Sequence, residues 1–435
     1  MASLVERVLE GEPQAVGRGE NRVRDAGHDD DEANELRKAL VQHYTRSEGT
    51  RRDAGVGHLE RDFEAALRHM RPLYRSAPDH PGYAFRFASL LTETGRFDEG
   101  IPLLEELREA GGTFDFAVNV EGAITRAFYH RGEFERAAEL LRQTLAMATQ
   151  RFGAEPSDEQ ARLVGSLLAR LSRIHINMGD YAGAIRVIET CPYAIDHPFM
   201  TRTLRRARAL LSDGLPSEGR DARPVELDHL TVACVKHGTK YGPDYVNRLY
   251  AMVRRHLPGN WRFVCYTDDP QGLRPEVGII DISGIRIRGW WTKLALFDPT
   301  SPVLDPTILY LDLDTVVVGD LGFLEGMKVG FHILEHPDSP CYNSSVMLFD
   351  RTFAAPVYQR VRKRDVERLV GDQDWIEECL PGLDTFPYGL IRLYRGLHPD
   401  LGPDGLAATD TRIVTFPTNP KPHRIPSGWV PAHWK

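Results

Sequence analysis

The chain has 435 residues, 27% of them charged, and a formal net charge of −8. This length predicts two or three domains, each large enough for its own core. The acidic balance and the absence of a long Lys/Arg tract argue against nucleic-acid binding.

The sequence shows no sign of export or of a disulfide framework. No stretch approaches the roughly 18 consecutive apolar residues of a membrane span. Met1 to Arg7 lack the basic start and apolar core of a secretory signal. The five cysteines are scattered and form no C-x-x-C pair, which argues against structural zinc. These features predict a reduced, soluble, cytoplasmic chain without a membrane span.

The first segment, residues 1–57, is predicted to be weakly ordered. Gly11 to Gly27 is rich in Gly, Arg and Glu, and an acidic run follows at 28–32. Apolar residues at helical spacing predict one short helix, from about Ala33 to Arg46. A solvated tail is the default interpretation of the remainder.

Residues 58–211 have the pattern of consecutive amphipathic helices. A motif of glycine, an aromatic residue two positions later and then a small residue recurs at Gly95, Gly132 and Gly179. It resembles the tetratricopeptide repeat, whose nominal period is about 34 residues. We therefore expect four helical hairpins stacked as a short solenoid. Such solenoids bind proteins or peptides along their concave face; the alternative is that this one only packs against the domain that follows.

Residues 212–228 are polar and rich in helix breakers, which predicts a linker. From 229 to 435, predicted strands alternate with helices, which is typical of a Rossmann-like α/β domain with a mostly parallel sheet. Ligands of such sheets bind outside the carboxyl ends of the strands. The predicted strands are 230–235, 262–267, 277–282, 307–311 and 345–349, and the predicted helices include 245–257 and 291–297.

The predicted strand Thr307–Leu311 leads directly into Asp312 and Asp314. In a strand, residues two positions apart project from the same face. Two convergent carboxylates repel each other and are costly to desolvate unless a cation lies between them. Such hard oxygen ligands suit Mg²⁺ or Mn²⁺, and either cation can bind a pyrophosphate. The alternative is a strand end at which both aspartates are hydrated.

Five segments of this half match, in order, the motifs of nucleotide-sugar glycosyltransferases with the GT-A fold. The resemblance is strongest to glycosyltransferase family 8, the glycogenin-like enzymes, and their bacterial relatives. It extends over about 200 residues of the C-terminal half. The five matching segments are 235–249, 289–297, 310–321, 341–349 and 371–375.

The resemblance implies a set of donor-binding residues. Val235, Gly238 and Tyr245 would hold the uracil and ribose, with close backbone approach at the glycine and stacking on the tyrosine. Lys293 would reach the pyrophosphate or the sugar; the alternative is a cation–π pair with the adjacent tryptophans. Lys421, in a closing K-P motif, would contact a phosphate.

The same resemblance implies the metal and sugar contacts. Asp314 would bind the metal directly, and Asp312 would share the metal and the ribose. Asn343 and Ser344 would recognise hydroxyl groups. The remaining two catalytic candidates, placed with Asn343 around the transferred sugar, are Asp372 and Gln373. The alternative for polar residues at such loop ends is helix capping.

One departure concerns the third metal ligand, which in the family is a histidine just upstream of the K-P motif. That register offers Thr415 or Pro417 here, and His423 is the alternative on the other side of Lys421.

The sequence is compatible with two main functions. The first is a Mn²⁺- or Mg²⁺-dependent, retaining transferase with a UDP-sugar donor. The second is a repeat-mediated protein-binding scaffold with a degenerate transferase domain. A nucleotidyltransferase is a weaker rival, because the glycine-rich phosphate loop is absent.

Overall fold

The computed structural model of the protein describes most of the chain. The chain forms two compact units. One unit comprises 1–147, 394–400 and 416–424; the other comprises 148–393, 401–415 and 425–435. The predicted boundary at 57/58 and most of the predicted linker lie outside the described residues. The described residues are 3–24, 26–27, 30–45, 61–191, 193, 198–211, 223–285, 289–335, 342–369, 371–380, 383–394, 397, 406 and 409–435.

The first unit is helical. Its helices are α1 (Leu4–Glu10), α2 (Pro13–Arg24), α3 (Asp31–Thr45), α4 (Phe63–Ser76), α5 (Pro81–Glu93), α6 (Phe97–Ala110), α7 (Phe114–Arg131) and most of α8 (Phe134–Phe152).

The first three helices differ from the expectation of a weakly ordered segment with one helix. They share a core that includes Val8, Val23, Leu36 and Leu40, all buried. The buried Arg37 donates hydrogen bonds to backbone carbonyls just after α2, including that of Ala26 at 2.6 Å. These hydrogen bonds allow Arg37 to be buried, whereas the sequence alone predicts a solvent-exposed charge at this position.

A polar cluster of three side chains links α2, α3 and α4. The Tyr44 hydroxyl donates to Glu20 Oε1 at 2.5 Å, and His69 Nε2 lies 3.0 Å from the same oxygen. Burial acts to raise the pKa of Glu20, but the hydrogen bonds with His69 and Tyr44 outweigh it and lower the pKa to about 2. This carboxylate is therefore ionised and holds the three helices together.

The predicted glycine–aromatic repeats are confirmed. Gly95, Gly132 and Gly179 all have φ near +78°, with values of 78°, 78° and 77°. This left-handed conformation favours glycine and ends a helix. In each case the next helix begins at the aromatic residue two positions later, at Phe97, Phe134 and Tyr181.

The predicted small residue also lies where two helices approach closely. A Cβ added to Gly100 of α6 would lie 2.7 Å from Thr92 Cγ2 and 2.9 Å from the Ala88 carbonyl oxygen, both in α5. Ala137 and Ala184, at the corresponding positions of α8 and α10, are fully buried. Close packing of paired helices therefore explains the small residue in each repeat.

The second unit contains the last helices of the helical region together with the sheets. Helices α9 (Asp158–Asn177), α10 (Tyr181–Glu189) and α11 (Pro198–Leu211) pack around Ile176, Ala184 and Ala207. The strands that follow are β1 (Arg223–Pro224), β2 (Leu230–Lys236), β3 (Arg262–Thr267), β4 (Gly278–Asp281), β5 (Thr307–Leu311), β6 (Thr315–Val317), β7 (Lys328–Val329), β8 (Phe331–Glu335), β9 (Tyr342–Asp350), β10 (Asp384–Thr385), β11 (Ile391–Leu393) and β12 (Ile413–Thr415).

The main sheet has seven strands in the order β10-β8-β9-β5-β2-β3-β4. Only β9 runs antiparallel to its neighbours; the other neighbouring pairs are parallel, so the predicted mostly parallel sheet is confirmed. A smaller sheet has the order β11-β12-β6, and β1 pairs with β7. Among the described residues, the remaining α-helices of this unit are α12 (Pro243–His256), α13 (Arg351–Arg360), α14 (Lys363–Arg368), α15 (Asp372–Cys379) and α16 (Trp429–His433).

The predicted elements of this unit are largely where the sequence placed them. The strand over 307–311 has the predicted bounds, and the predicted helix after β2 is α12. The segment Gly289–Phe297 is a 3-10 helix whose apolar residues pack into the core of the main sheet. Within the described residues, we find no helix long and apolar enough to cross a membrane.

Candidate functional site

The D-x-D segment forms a tight turn between β5 and β6. The backbone N–H of Asp312 donates to the Ser345 carbonyl at 2.8 Å, and that of Thr315 donates to the Asp312 carbonyl at 3.1 Å. Leu313 between the two aspartates is buried. The aspartates thus follow the carboxyl end of β5, as predicted, but in a turn, so strand alternation alone does not orient them.

Lys293 lies at the centre of this region and is largely buried. Its Nζ is 3.0 Å from Asp312 Oδ1 and 3.1 Å from Ser344 Oγ. The same ammonium lies over the ring of Tyr310, 5.4 Å from the ring centroid, and the Tyr310 hydroxyl donates to Asp312 Oδ1 at 2.5 Å. Lysine, aspartate and serine therefore meet at this point, and the ammonium lies over the ring of Tyr310.

Asp372, the first residue of α15, faces the same ammonium. It is 2% exposed. Burial raises the pKa of Asp372, while Lys293 and a hydrogen bond with Ser344 lower it in part, and Asp312 raises it further. Among the described residues, its Oδ2 has no hydrogen-bond partner. A buried carboxyl oxygen without a partner is costly in a static fold and is typical of a site that receives a ligand.

The protonation of Lys293 follows from these neighbours. Burial acts to lower the pKa of Lys293, but Asp312 and Asp372 outweigh it, and the pKa lies above its ordinary value. The lysine therefore carries its charge at neutral pH. A fixed, desolvated positive charge with hydroxyl groups beside it can stabilise the developing charge of a diphosphate.

Tyr241 is a site residue that the sequence analysis did not select. Its hydroxyl donates to Asp314 Oδ2 at 2.8 Å. Its ring lies 4.5 Å from that of Tyr245, which in turn lies 5.2 Å from the ring of Trp434. Tyr245, the candidate for base stacking, is only 5% exposed and is covered by these two rings. Tyr241, rather than Tyr245, is therefore the tyrosine of this segment that contacts Asp314.

The loop after β2 is tied to the loop after β3. The backbone N–H of Gly238 donates to the Asp268 carboxylate, 3.2 and 3.1 Å from its two oxygens. Gly238 has φ of 67°, which only glycine adopts readily. The half-buried Val235 precedes Lys236, whose Nζ donates to the Asp269 carbonyl at 3.1 Å. The predicted base-binding loop thus lies at the carboxyl ends of two adjacent parallel strands.

Two of the predicted catalytic residues have different surroundings. Asn343 is buried, and its Oδ1 accepts a hydrogen bond from the Ser345 backbone N–H at 2.9 Å, so this oxygen shapes the start of β9. Gln373 is half-buried and follows Asp372 in the first turn of α15. The sequence motif therefore brings Asp372 to the lysine, while Asn343 has a local backbone role.

Lys421 and His423 belong to the other compact unit. Lys421 is buried there and donates to the Phe416 carbonyl at 2.6 Å. His423 is exposed in the 3-10 helix Pro422–Arg424. Their roles as phosphate contact and third metal ligand stay predictions.

The fit of a divalent cation depends on Asp312 and Asp314. In the part of the chain that the structure describes, no group of three or more His, Cys, Asp or Glu side chains is placed to hold a metal. Two carboxylates with open positions suit Mg²⁺ or Mn²⁺ when phosphate and water oxygens complete the coordination. The two aspartates alone would leave most coordination positions to phosphate and water oxygens, so binding of a cation stays a prediction.

One family comparison bears on the helical region. The tetratricopeptide repeat family matches residues 123–158. This segment contains the end of α7, the turn at Gly132 and all of α8, so it includes the second of the three motifs found in the sequence. The helical region therefore contains tetratricopeptide-like repeats. A search of curated proteins found no match.

Solved structures similar to the chain include repeat proteins and glycosyltransferases. MamA aligns with 16% identity and a TM-score of 0.27, covering 37% of this chain and 83% of that one. The apo-form glycosyltransferase GlyE of Streptococcus pneumoniae has 17% identity, a TM-score of 0.32 and coverages of 44% and 55%. A Thermobaculum terrenum O-GlcNAc transferase mutant aligns with 17% identity and a TM-score of 0.25, covering 62% of this chain and 44% of that one. At these scores the alignments define neither family nor activity.

Proposed function

We propose that the protein is a metal-dependent glycosyltransferase that takes a sugar from a nucleotide-sugar donor, with UDP as the nucleotide. The observation that carries the proposal is the meeting of Lys293 with Asp312, Ser344 and Asp372 beside the carboxyl end of β5. The resemblance to GT-A enzymes implies a donor site of this kind, with carboxylates, a lysine and hydroxyl groups near the ends of strands. The motif order in the sequence supports the same assignment.

The residues divide into those that bind the diphosphate and those that face the sugar. Asp314 and Asp312 would hold Mn²⁺ or Mg²⁺, which supplies charge neutralisation to the leaving diphosphate. Lys293 adds a fixed positive charge from the protein. The loop that contains Gly238 would hold the base, with Tyr241 rather than Tyr245 as the accessible ring.

Asp372 is the proposed group next to the transferred sugar. Burial raises its pKa, and its free oxygen is available to a sugar hydroxyl. Gln373 and Asn343 complete this side of the site in the proposal. The resemblance to family 8 implies retention of anomeric configuration. The tetratricopeptide-like helices are proposed to bind a protein or peptide partner, which is the common use of such repeats.

A second candidate function is a repeat-mediated scaffold with a degenerate transferase domain. It is favoured by the present partners of the aspartates: Tyr310 and Lys293 contact Asp312, and Tyr241 contacts Asp314. A cation would have to displace part of this network. If the displacement is too costly, the site binds no nucleotide and the helices carry the function.

Calorimetric titration of UDP with and without Mn²⁺ distinguishes the transferase from the scaffold. We expect Mn²⁺-dependent binding to the wild type and its loss in Asp314→Asn. The matched control is Asp320→Asn, since Asp320 follows on the same segment, is exposed and accepts only a local hydrogen bond from Gly322 at 3.0 Å. Wild-type protein without Mn²⁺-dependent UDP binding would overturn the transferase proposal. Release of UDP rather than pyrophosphate from a UDP-sugar would exclude a nucleotidyltransferase.

A further inference from the structure

Two arginines, one from helix α9 and one from helix α11, bind the end of β8 where it pairs with the start of β9. Arg173 Nε lies 3.0 Å from Glu335 Oε1, and Arg206 Nη1 lies 3.0 Å from Glu335 Oε2. Glu335 is the last residue of β8 and pairs with Tyr342, the first residue of β9. Each carboxylate oxygen of Glu335 therefore has its own guanidinium partner. All these residues belong to the second compact unit.

Arg202, one helical turn before Arg206 on α11, contacts two further elements. Its guanidinium pairs with Glu377 of α15 and lies over the ring of Tyr342, 5.5 Å from the centroid. Arg206 also donates to the Thr385 hydroxyl of β10. One face of α11 thus binds two strands of the main sheet, the start of β9 and the middle of α15.

These contacts are mostly shielded from water. The Arg173 side chain is 5% exposed, and those of Arg206 and Glu335 are 16% and 22% exposed. Burial acts to raise the pKa of Glu335, but Arg206 and Arg173 lower it below its usual value. The carboxylate is ionised at neutral pH. Removal of Arg206 leaves one oxygen of this shielded carboxylate without its guanidinium partner, which is unfavourable.

The two elements held in this way carry two of the groups around Lys293. Tyr342 and Ser344 are two positions apart on β9, and two residues of one strand move together. Glu377 lies on α15, the short helix that begins at Asp372. A shift of α11 would therefore move both the Ser344 hydroxyl and the Asp372 carboxyl relative to the lysine.

We propose that Arg202 and Arg206 are positioning residues of the candidate site: by holding the start of β9 and helix α15, they set Ser344 and Asp372 against Lys293. The last helices of the repeat region are then a structural part of the site. Grouping of α9–α11 with the sheet in one compact unit agrees with this arrangement. The effect on nucleotide binding rests on the proposed function; the effect on the geometry does not.

The geometric part is tested by hydrogen exchange on the full-length chain. Arg202→Met and Arg206→Met keep the aliphatic stem and remove the charge. The control is Arg208→Met on the same helix, because Arg208 is 59% exposed and pairs with Glu189 at the surface. We expect amides of 342–350 and 372–379 to exchange at least about tenfold faster in the two test variants, through local opening. If amides of these segments exchange at the wild-type rate in both test variants, the proposal is overturned.

The functional part is tested by UDP titration in the presence of Mn²⁺. We expect at least about tenfold weaker binding in Arg202→Met, and recovery when Arg202→Glu is combined with Glu377→Arg. Recovery in the double variant would assign the effect to the ion pair between positions 202 and 377. If a methionine variant does not fold, Arg202→Lys and Glu377→Gln are measured instead, with faster exchange of 372–379 expected. Unchanged exchange in these milder variants would refute positioning.

The two failures are distinguishable. Wild-type protein that binds no UDP refutes the proposed function, whereas the exchange comparison still decides the geometric role of α11. Wild-type protein that binds UDP, together with arginine variants of unchanged affinity, refutes positioning alone.

Discussion

Replacement of Lys293 by methionine tests the electrostatics of the site directly. The variant keeps the length of the side chain and removes the charge that lies 3.0 Å from Asp312. At an effective dielectric constant of about 20, two unit charges at this distance attract by roughly 5 kcal/mol. Removal of one partner of a buried pair costs about 3–5 kcal/mol. Because Asp312 is partly exposed, we expect a loss of about 3 kcal/mol in the free energy of unfolding near neutral pH.

The loss should depend on pH. Burial holds the pKa of Asp372 above its ordinary value, and Lys293 partly counteracts this, so the pKa rises further in Lys293→Met. A carboxyl whose folded pKa is raised binds more protons in the native state than in the unfolded chain. Its contribution to stability therefore decreases as pH rises above its unfolded pKa. The deficit of the variant should be smaller at about pH 5 than at about pH 7.5.

Urea unfolding followed by tryptophan fluorescence measures this loss. All six tryptophans follow residue 260, so the signal reports the α/β region. The control is Lys363→Met, because Lys363 is 89% exposed and pairs with Glu367 at 3.5 Å; it should change stability by less than about 0.5 kcal/mol. Equal effects of the two substitutions, or a larger deficit of Lys293→Met at acid pH, would refute the reasoning.

Three further predictions concern other contacts. Tyr241→Phe removes a hydrogen bond to Asp314, so Mn²⁺ should bind several-fold more tightly in a spin-resonance titration; weaker binding would contradict this. Gly100→Val should destabilise the helical region by about 1–3 kcal/mol in thermal circular dichroism, whereas Gly122→Ala, whose added Cβ would lie in ordinary contact with Arg126 Nη1 at 3.8 Å, should stabilise it by about 0.5–1 kcal/mol. Because the pKa of Glu20 is lowered to about 2, its stabilisation is present above about pH 4.5 and is lost as pH falls towards 2; Glu20→Gln should remove that part of the acid transition, and an unchanged acid profile would count against it.

The repeats and strands could be predicted because their signals are local. A glycine with positive φ followed by an aromatic residue marks the turn between two helices, as Gly132 and Phe134 show. A short apolar run such as Thr307–Leu311 marks a buried strand whichever strands become its neighbours. The sequence also indicated that Asp312 and Lys293 belong to one site, through a motif order that resembles a known family.

The first two helices were missed, whereas α3 was expected as a helix from about Ala33 to Arg46. Residues 11–27, which include α2, are rich in Gly, Arg and Glu, and such a composition predicts solvation. The apolar residues of these helices are few but converge on one core, and Arg37 is buried because backbone carbonyls of α2 and the turn after it accept its hydrogen bonds. Amino-acid composition does not show that backbone carbonyls will accept hydrogen bonds from a particular arginine.

The sequence by itself determined the repeat helices that begin at Phe97, Phe134 and Tyr181 and five strands of the main sheet, because glycine turns and hydrophobic periodicity depend on neighbours along the chain. Only the tertiary structure decided that Tyr241 faces Asp314 while Tyr245 is covered, and that α11 holds the elements carrying Ser344 and Asp372. These contacts join residues far apart in the chain, so they depend on strand order, on register and on which helix packs beside which strand. The period of one segment indicates which of its faces is buried, but the residue that covers that face is set by the packing of the whole unit.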